Sequence, residues 1–145
     1  MFSKILVPFD GSAGAEQALK KACELAKLTG GQILILTVYR HQAMLEASLS
    51  MVRVEQPANL DDVLRGHATE VAEHGKALAP DARVERVRAF VKAGQPARTI
   101  IEFARDRDAG LIVIGSRGLG SVERYLLGSV SHKVTGLAQC PVLVV

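Results

Sequence analysis

Aromatic residues are scarce in this chain of 145 residues, at 4% with no tryptophan, and cysteine occurs twice. Dispersed lysines and arginines without stacking aromatics among them do not make a nucleic-acid surface, so the formal charge of +3 reads as a solvated basic exterior. Cys23 and Cys140 are too few and too far apart for a disulfide framework or a metal site. No apolar run approaches the roughly 20 residues that cross a bilayer. The amino terminus enters a strand with no secretory signal ahead of it, and the expected compartment is therefore the cytoplasm.

What the chain does have is apolar material, 48% of its residues, arranged in short β-branched runs that alternate with helical periodicity. Ile5 to Phe9, Leu111 to Ile114 and Pro141 to Val145 are continuous apolar runs, and Ile33 to Val38 is interrupted only by Thr37, the signature of strands covered on both faces. Val87, Ala89 and Val91 alternate with Arg86 and Arg88, which suits a sheet edge. Between the runs, Ala15, Leu19, Ala22 and Ala26 predict a first helix stopped by Gly30-Gly31. Leu60, Leu64, Val71 and Leu78 predict a second, capped by Asn59 with Asp61 and Asp62 in its first turn. Pro96 opens a third helix with Ile100, Ile101 and Ala104 inside. A fourth carries Val130, Val134, Leu137 and Ala138. The order βαβαβαβαβ implies one domain over residues 1–145, a parallel sheet with helices on both faces. Ligands of such sheets sit at the carboxyl ends of the strands, where the strand order reverses.

One stretch falls at such a place. Gly115-Ser116-Arg117-Gly118 follows the fourth strand, and nine residues later Gly128-Ser129-Val130-Ser131 opens a helix. Glycines let backbone approach a ligand closely, and a helix start offers unpaired N–H groups and a positive dipole end to phosphate. The pattern is neither a dinucleotide fingerprint, since it reads G-x-x-G-x-G with no acidic residue some 20 positions on, nor a P-loop, since Gly120 is followed by Ser121-Val122. Ser129 is placed to cap the last helix, with the Ser131 hydroxyl in its first turn. Asp10 would repel phosphate, so it either faces ribose hydroxyls or a phosphate-bound magnesium ion, or closes an Asx turn before Gly11-Ser12. His67, His74 and His132 lack partners at metal-ligand spacing, and no nucleophile and base can be paired.

The start Lys4-Ile-Leu-Val-Pro-Phe-Asp-Gly-Ser12, the Gly115-x-x-Gly118-nine-Gly128-Ser129 motif and the ending Cys140-Pro-Val-Leu-Val-Val145 resemble the universal stress protein family in its ATP-binding branch. The resemblance covers the whole chain. It implies a Rossmann-like three-layer α/β/α fold with a five-stranded parallel sheet in the order 3-2-1-4-5, the adenine-nucleotide α-hydrolase-like arrangement. It implies a homodimer or a higher oligomer, and a nucleotide-dependent regulatory protein of the stress response. By the same resemblance Pro8 and Asp10 border adenosine and ribose, Val38 gives backbone contacts to adenine, and Gly115, Arg117 and Gly118 line ribose and phosphates. Gly128, Ser129, Val130 and Ser131 would hold the phosphates of ATP, or of ADP or AMP, with magnesium through the phosphates.

The apolar run Val142 to Val145 would form a sheet edge, which predicts pairing of two copies through the fifth strand. Leu126 and Leu127 could instead close the pocket and leave a nucleotide-free interaction module, and a slow ATPase is the other alternative. The long connection from Arg40 to Ala58 is the unusual segment. Its Met44 to Val52 portion would face a partner such as a membrane transporter, beside which some proteins of this type work.

Overall fold

The computed structural model describes residues 2–40, 57–79, 86–117 and 127–145. Gly118, Leu126 and the Met44 to Val52 portion of the long connection lie outside the described residues. Five strands, β1 (Lys4–Pro8), β2 (Gln32–Tyr39), β3 (Val87–Ala93), β4 (Leu111–Ile114) and β5 (Val142–Val144), form one parallel sheet in the order β3-β2-β1-β4-β5. The helices are α1 (Ala13–Thr29), α2 (Pro57–Leu78), α3 (Pro96–Asp106) and α4 (Ser129–Leu137). The predicted class and strand order are those observed.

The apolar runs become strands because both faces of the sheet are covered. Ile5, Val7, Ile33, Ile35 and Val113 point into one layer with Ala15, Ala18, Leu19, Ala22 and Ala26 of α1, against which Val71 of α2 packs. Leu6, Leu34, Leu36, Ile112 and Ile114 point into the other with Ile100, Phe103 and Ala104 of α3 and Val134 of α4. Helices α1 and α2 therefore lie on one face, α3 and α4 on the other. The chain builds outward from β1 to β3 and then crosses to β4 on the far side of β1. This reversal leaves the carboxyl ends of β1 and β4 side by side as the natural crevice.

Helix boundaries show where local signals were outweighed. Helix α1 is capped by Ser12, whose Oγ accepts from the Ala15 N–H at 3.1 Å, and ends at Gly30 in the left-handed region, φ 72°. Helix α2 begins at Pro57, so Asn59 sits inside its first turn rather than capping it, and no acid occupies that turn. Its sheet-facing side is Ala68, Ala72 and Gly75, while Leu78 is 43% exposed. Small residues win there because the helix comes close: a Cβ built on Gly75 would meet the ring of Phe9 at 3.0 Å. Leu137 of α4 is also exposed, leaving Val134 as its buried anchor.

Strand β3 is the edge its charges predicted, and Phe90 packs against Phe103 at 5.1 Å between centroids, the rings tilted by 57°, with the Arg88 and Arg107 guanidinium groups over the Phe90 ring. The turn out of α3 is made by Asp108 at φ 56°, since Asp tolerates the left-handed region. Among the described residues no helix is long and apolar enough to cross a membrane.

Candidate functional site

Three strand ends meet at the carboxyl edge of the sheet. At β1, the Phe9 N–H donates to the Leu36 carbonyl at 2.8 Å and the Thr37 hydroxyl donates to the Phe9 carbonyl at 2.8 Å, which ties the loop after β1 to β2 beside Val38. Pro8 is buried in register with Leu36. Asp10 is exposed, and its Oδ1 accepts from the Ser12 N–H at 2.9 Å. Asp10 thus does close an Asx turn, with Gly11 at φ 83° completing it and Ser12 capping α1. The turn uses Oδ1. Val38 is partly buried against the layer of α3 and α4 and pairs with Lys92 of β3, so what it offers a crevice is backbone.

The other side of the crevice is made by the turn after β4. The Ser116 N–H donates to the Val145 carbonyl at 2.8 Å, and the Ser116 carbonyl accepts from the Gly128 N–H at 2.7 Å. That second bond pins the start of α4 to the end of β4. The Ser131 hydroxyl, on a residue 2% exposed, lies 2.8 Å from the Ser116 carbonyl and 3.0 Å from the Gly128 carbonyl, so it donates inward and braces the same junction. The sequence places this hydroxyl toward phosphate, whereas the fold engages it and leaves the Ser131 amide.

The cap differs from expectation as well. Gly128, with φ −60° and ψ 159°, is the N-cap and has no side chain to supply a capping bond, and Ser129 is the first helical residue. The first intrahelical bond from this end runs from the His132 N–H to the Gly128 carbonyl at 2.9 Å. By helix geometry the amides of Ser129, Val130 and Ser131 have no partner within α4, no acid sits in the first turn, and Ser129 is exposed. A helix start of this kind carries partial positive charge of roughly half an elementary unit.

Glycine is demanded at Gly115 by packing alone. A Cβ there would lie 2.8 Å from both the carbonyl carbon and oxygen of Gly14, because the turn after β4 sits directly on the first turn of α1. Gly14, unremarked in the sequence, is the other half of the contact. The structure thus brings Gly115, Ser116, Arg117, Gly128, Ser129, Val130 and Ser131 into one junction, and sets Asp10 on the loop that leads into the same α1 turn.

No group of three or more His, Cys, Asp or Glu able to hold a metal occurs among the described residues. A cavity of about 230 Å³ lined by Ile101, Ala104, Asp108 and Cys140 lies at the opposite, amino-terminal end of β4 and β5. Burial pushes the Cys140 thiol up from its ordinary range, which makes it a poor nucleophile.

The crevice at the β1–β4 switch point is thus bounded by an Asx turn and by a helix start that has no side-chain cap. The universal stress protein family model matches residues 1–145. The chain belongs to the universal stress protein family. Universal stress protein YxiE of Bacillus subtilis is 37% identical over 151 aligned positions, covering 100% of this chain and 99% of the relative. Among solved structures, universal stress protein UspA from Lactobacillus plantarum superposes with a TM-score of 0.81 at 26% identity, covering 99% of this chain and 97% of the other. A universal stress protein crystallised in complex with cAMP shares the fold with a TM-score of 0.74 at 24% identity, covering 99% and 96%.

Proposed function

We propose that this universal stress protein binds an adenine nucleotide, ATP foremost with ADP and AMP as competitors, and acts as a regulatory protein whose partner contacts depend on that occupancy. The observation that carries the reading is the 2.7 Å bond from the Gly128 N–H to the Ser116 carbonyl. It holds the uncapped start of α4 at the switch point, where its amides can meet a phosphate chain. That a protein of the same fold holds cAMP supports an adenylate as the ligand class.

In this reading the amides of Ser129, Val130 and Ser131 hold phosphate, with Gly128 letting the chain approach closely. Gly115, Arg117 and Gly118 line ribose and phosphates. The backbone at Pro8 and Val38 borders the base. The remaining carboxylate oxygen of Asp10 faces ribose or a magnesium ion carried by the phosphates. The protein works by binding rather than turnover, in the cytoplasm, and pairs with a second copy through the exposed edge of β5, where Leu143 is 37% exposed. A site with a Kd near ~1 μM would stay saturated at about 1 mM cellular ATP, so regulation requires weaker binding or discrimination between ATP and AMP.

Isothermal titration with ATP, ADP and AMP, together with native mass spectrometry of the purified protein, tests this. Saturable one-to-one binding per chain is expected; absence of binding by all three at millimolar concentration refutes it.

A further inference from the structure

Gly14 stands in the first turn of α1 and is half of the contact between the two loops that bound the crevice. A Cβ built on it would lie 2.6 Å from the Arg117 carbonyl oxygen, closer than real Cβ atoms approach, with the Gly115 Cα at 4.0 Å. From the other side, a Cβ on Gly115 would meet the Gly14 carbonyl at 2.8 Å and the Ala15 nitrogen at 3.2 Å. The turn Gly115 to Arg117 is therefore seated on bare backbone of α1, and any side chain at Gly14 has to lift it. The obstructing atom is a main-chain oxygen, which cannot swing aside as the tip of a long side chain does.

Ordinary helix energetics do not explain a glycine at this position. Glycine inside a helix is disfavoured relative to alanine, because its backbone loses more freedom on folding. The α1 backbone there is regular helix, and Gly14 is absent from the residues with positive φ. What glycine supplies at this position is clearance toward Arg117.

We infer that Gly14 is a positioning residue for the nucleotide: it sets the distance between the Asp10–Ser12 turn and the Gly115–Arg117 turn, and so the width of the crevice between them. This rests on the adenine-nucleotide reading given above. Adding a methyl group at Gly14 moves the Arg117 backbone by several tenths of an ångström and misplaces the groups that line ribose and phosphate, while the rest of α1 keeps its packing through Ala15, Ala18 and Leu19.

The test compares Gly14→Ala with Gly66→Ala, a control on the exposed side of α2 where an added Cβ meets nothing within 4 Å. Nucleotide-free melting and ATP titration are run on both and on the unaltered protein. Gly66→Ala should melt roughly 2–4 °C higher and bind ATP as before. Gly14→Ala should lower its nucleotide-free midpoint by no more than about 10 °C, the cost of ordinary overpacking, and bind ATP about tenfold more weakly, as misplaced binding groups do.

Equal ATP affinity in Gly14→Ala and the unaltered protein overturns the assignment of Gly14 and leaves the nucleotide reading standing. A nucleotide-free midpoint lowered by more than about 10 °C, or a chain that does not fold, also overturns it, by making the contact a requirement of the fold rather than of the crevice. No ATP binding by the unaltered protein removes both readings.

Discussion

Replacing Ser129 by Asp separates the stability of α4 from its proposed use as an anion site, because one change should push the two in opposite directions. Ser129 is the first residue of the helix, exposed, with no acid in that turn. A carboxylate there complements the helix dipole and should stabilise the nucleotide-free protein by roughly 0.3–1 kcal/mol, raising the melting midpoint by about 1–4 °C. The same carboxylate stands where a phosphate is proposed to bind. Two unit charges 4 Å apart repel by about 1 kcal/mol in water and about 4 at a partly desolvated protein surface, so ATP affinity should fall at least about fivefold. The loss should shrink as salt is raised from 50 to 500 mM, since the Debye length shortens. Differential scanning fluorimetry reads the first effect and isothermal titration the second. A higher midpoint with unchanged ATP affinity would refute phosphate binding at this helix start while leaving the helix energetics intact.

Further outcomes follow from the same geometry. Ser131→Ala removes a buried hydroxyl but orphans no acceptor, since the Ser116 carbonyl keeps the Gly128 N–H and the Gly128 carbonyl keeps the His132 N–H; chemical denaturation should show a loss of about 0.5–1.5 kcal/mol, and ATP affinity should change less than about threefold. Asp10→Asn preserves an oxygen for the Ser12 amide and should leave nucleotide-free stability within about 0.5 kcal/mol, whereas Asp10→Ala loses the turn bond and about 1 kcal/mol in the same assay. Leu143→Glu on the β5 edge should abolish the proposed pairing, giving a monomeric mass by light scattering at micromolar concentration where the unaltered protein gives a dimeric one. For Cys140 the pKa is raised by burial, so the folded state holds its proton more tightly than the unfolded one; alkylation near pH 7.5 should be slower than for an unfolded control, and the thiol's contribution to stability is present below about pH 9 and lost as pH rises beyond it.

Much of the fold was legible because burial on both faces leaves a plain mark. Ile5 to Val7 and Ile33 to Leu36 are continuous apolar runs with no polar alternation, and β3 announced itself as an edge through Arg86 and Arg88 alternating with its apolar residues. What escaped was decided by size or by distance along the chain. Leu78 suggested the inner face of α2, but the close approach to Phe9 selects Ala72 and Gly75 instead.

The candidate site was legible as far as its glycines and its helix start, through their spacing. The inward turn of the Ser131 hydroxyl was not, since its acceptor on Ser116 lies 15 residues back along the chain. Gly14 gave no signal at all: its meaning comes from a carbonyl at Arg117, on another strand's turn, which no local pattern reports.

The central claim is that phosphate meets the backbone at the start of α4. Titrating ¹⁵N-labelled protein with ATP and following amide resonances tests it most directly. The Ser129, Val130 and Ser131 amides should shift progressively and saturate with a single Kd, together with resonances of the Asp10–Ser12 turn. Saturable ATP binding that leaves those three amides unmoved, or no shift anywhere at millimolar ATP, would contradict it.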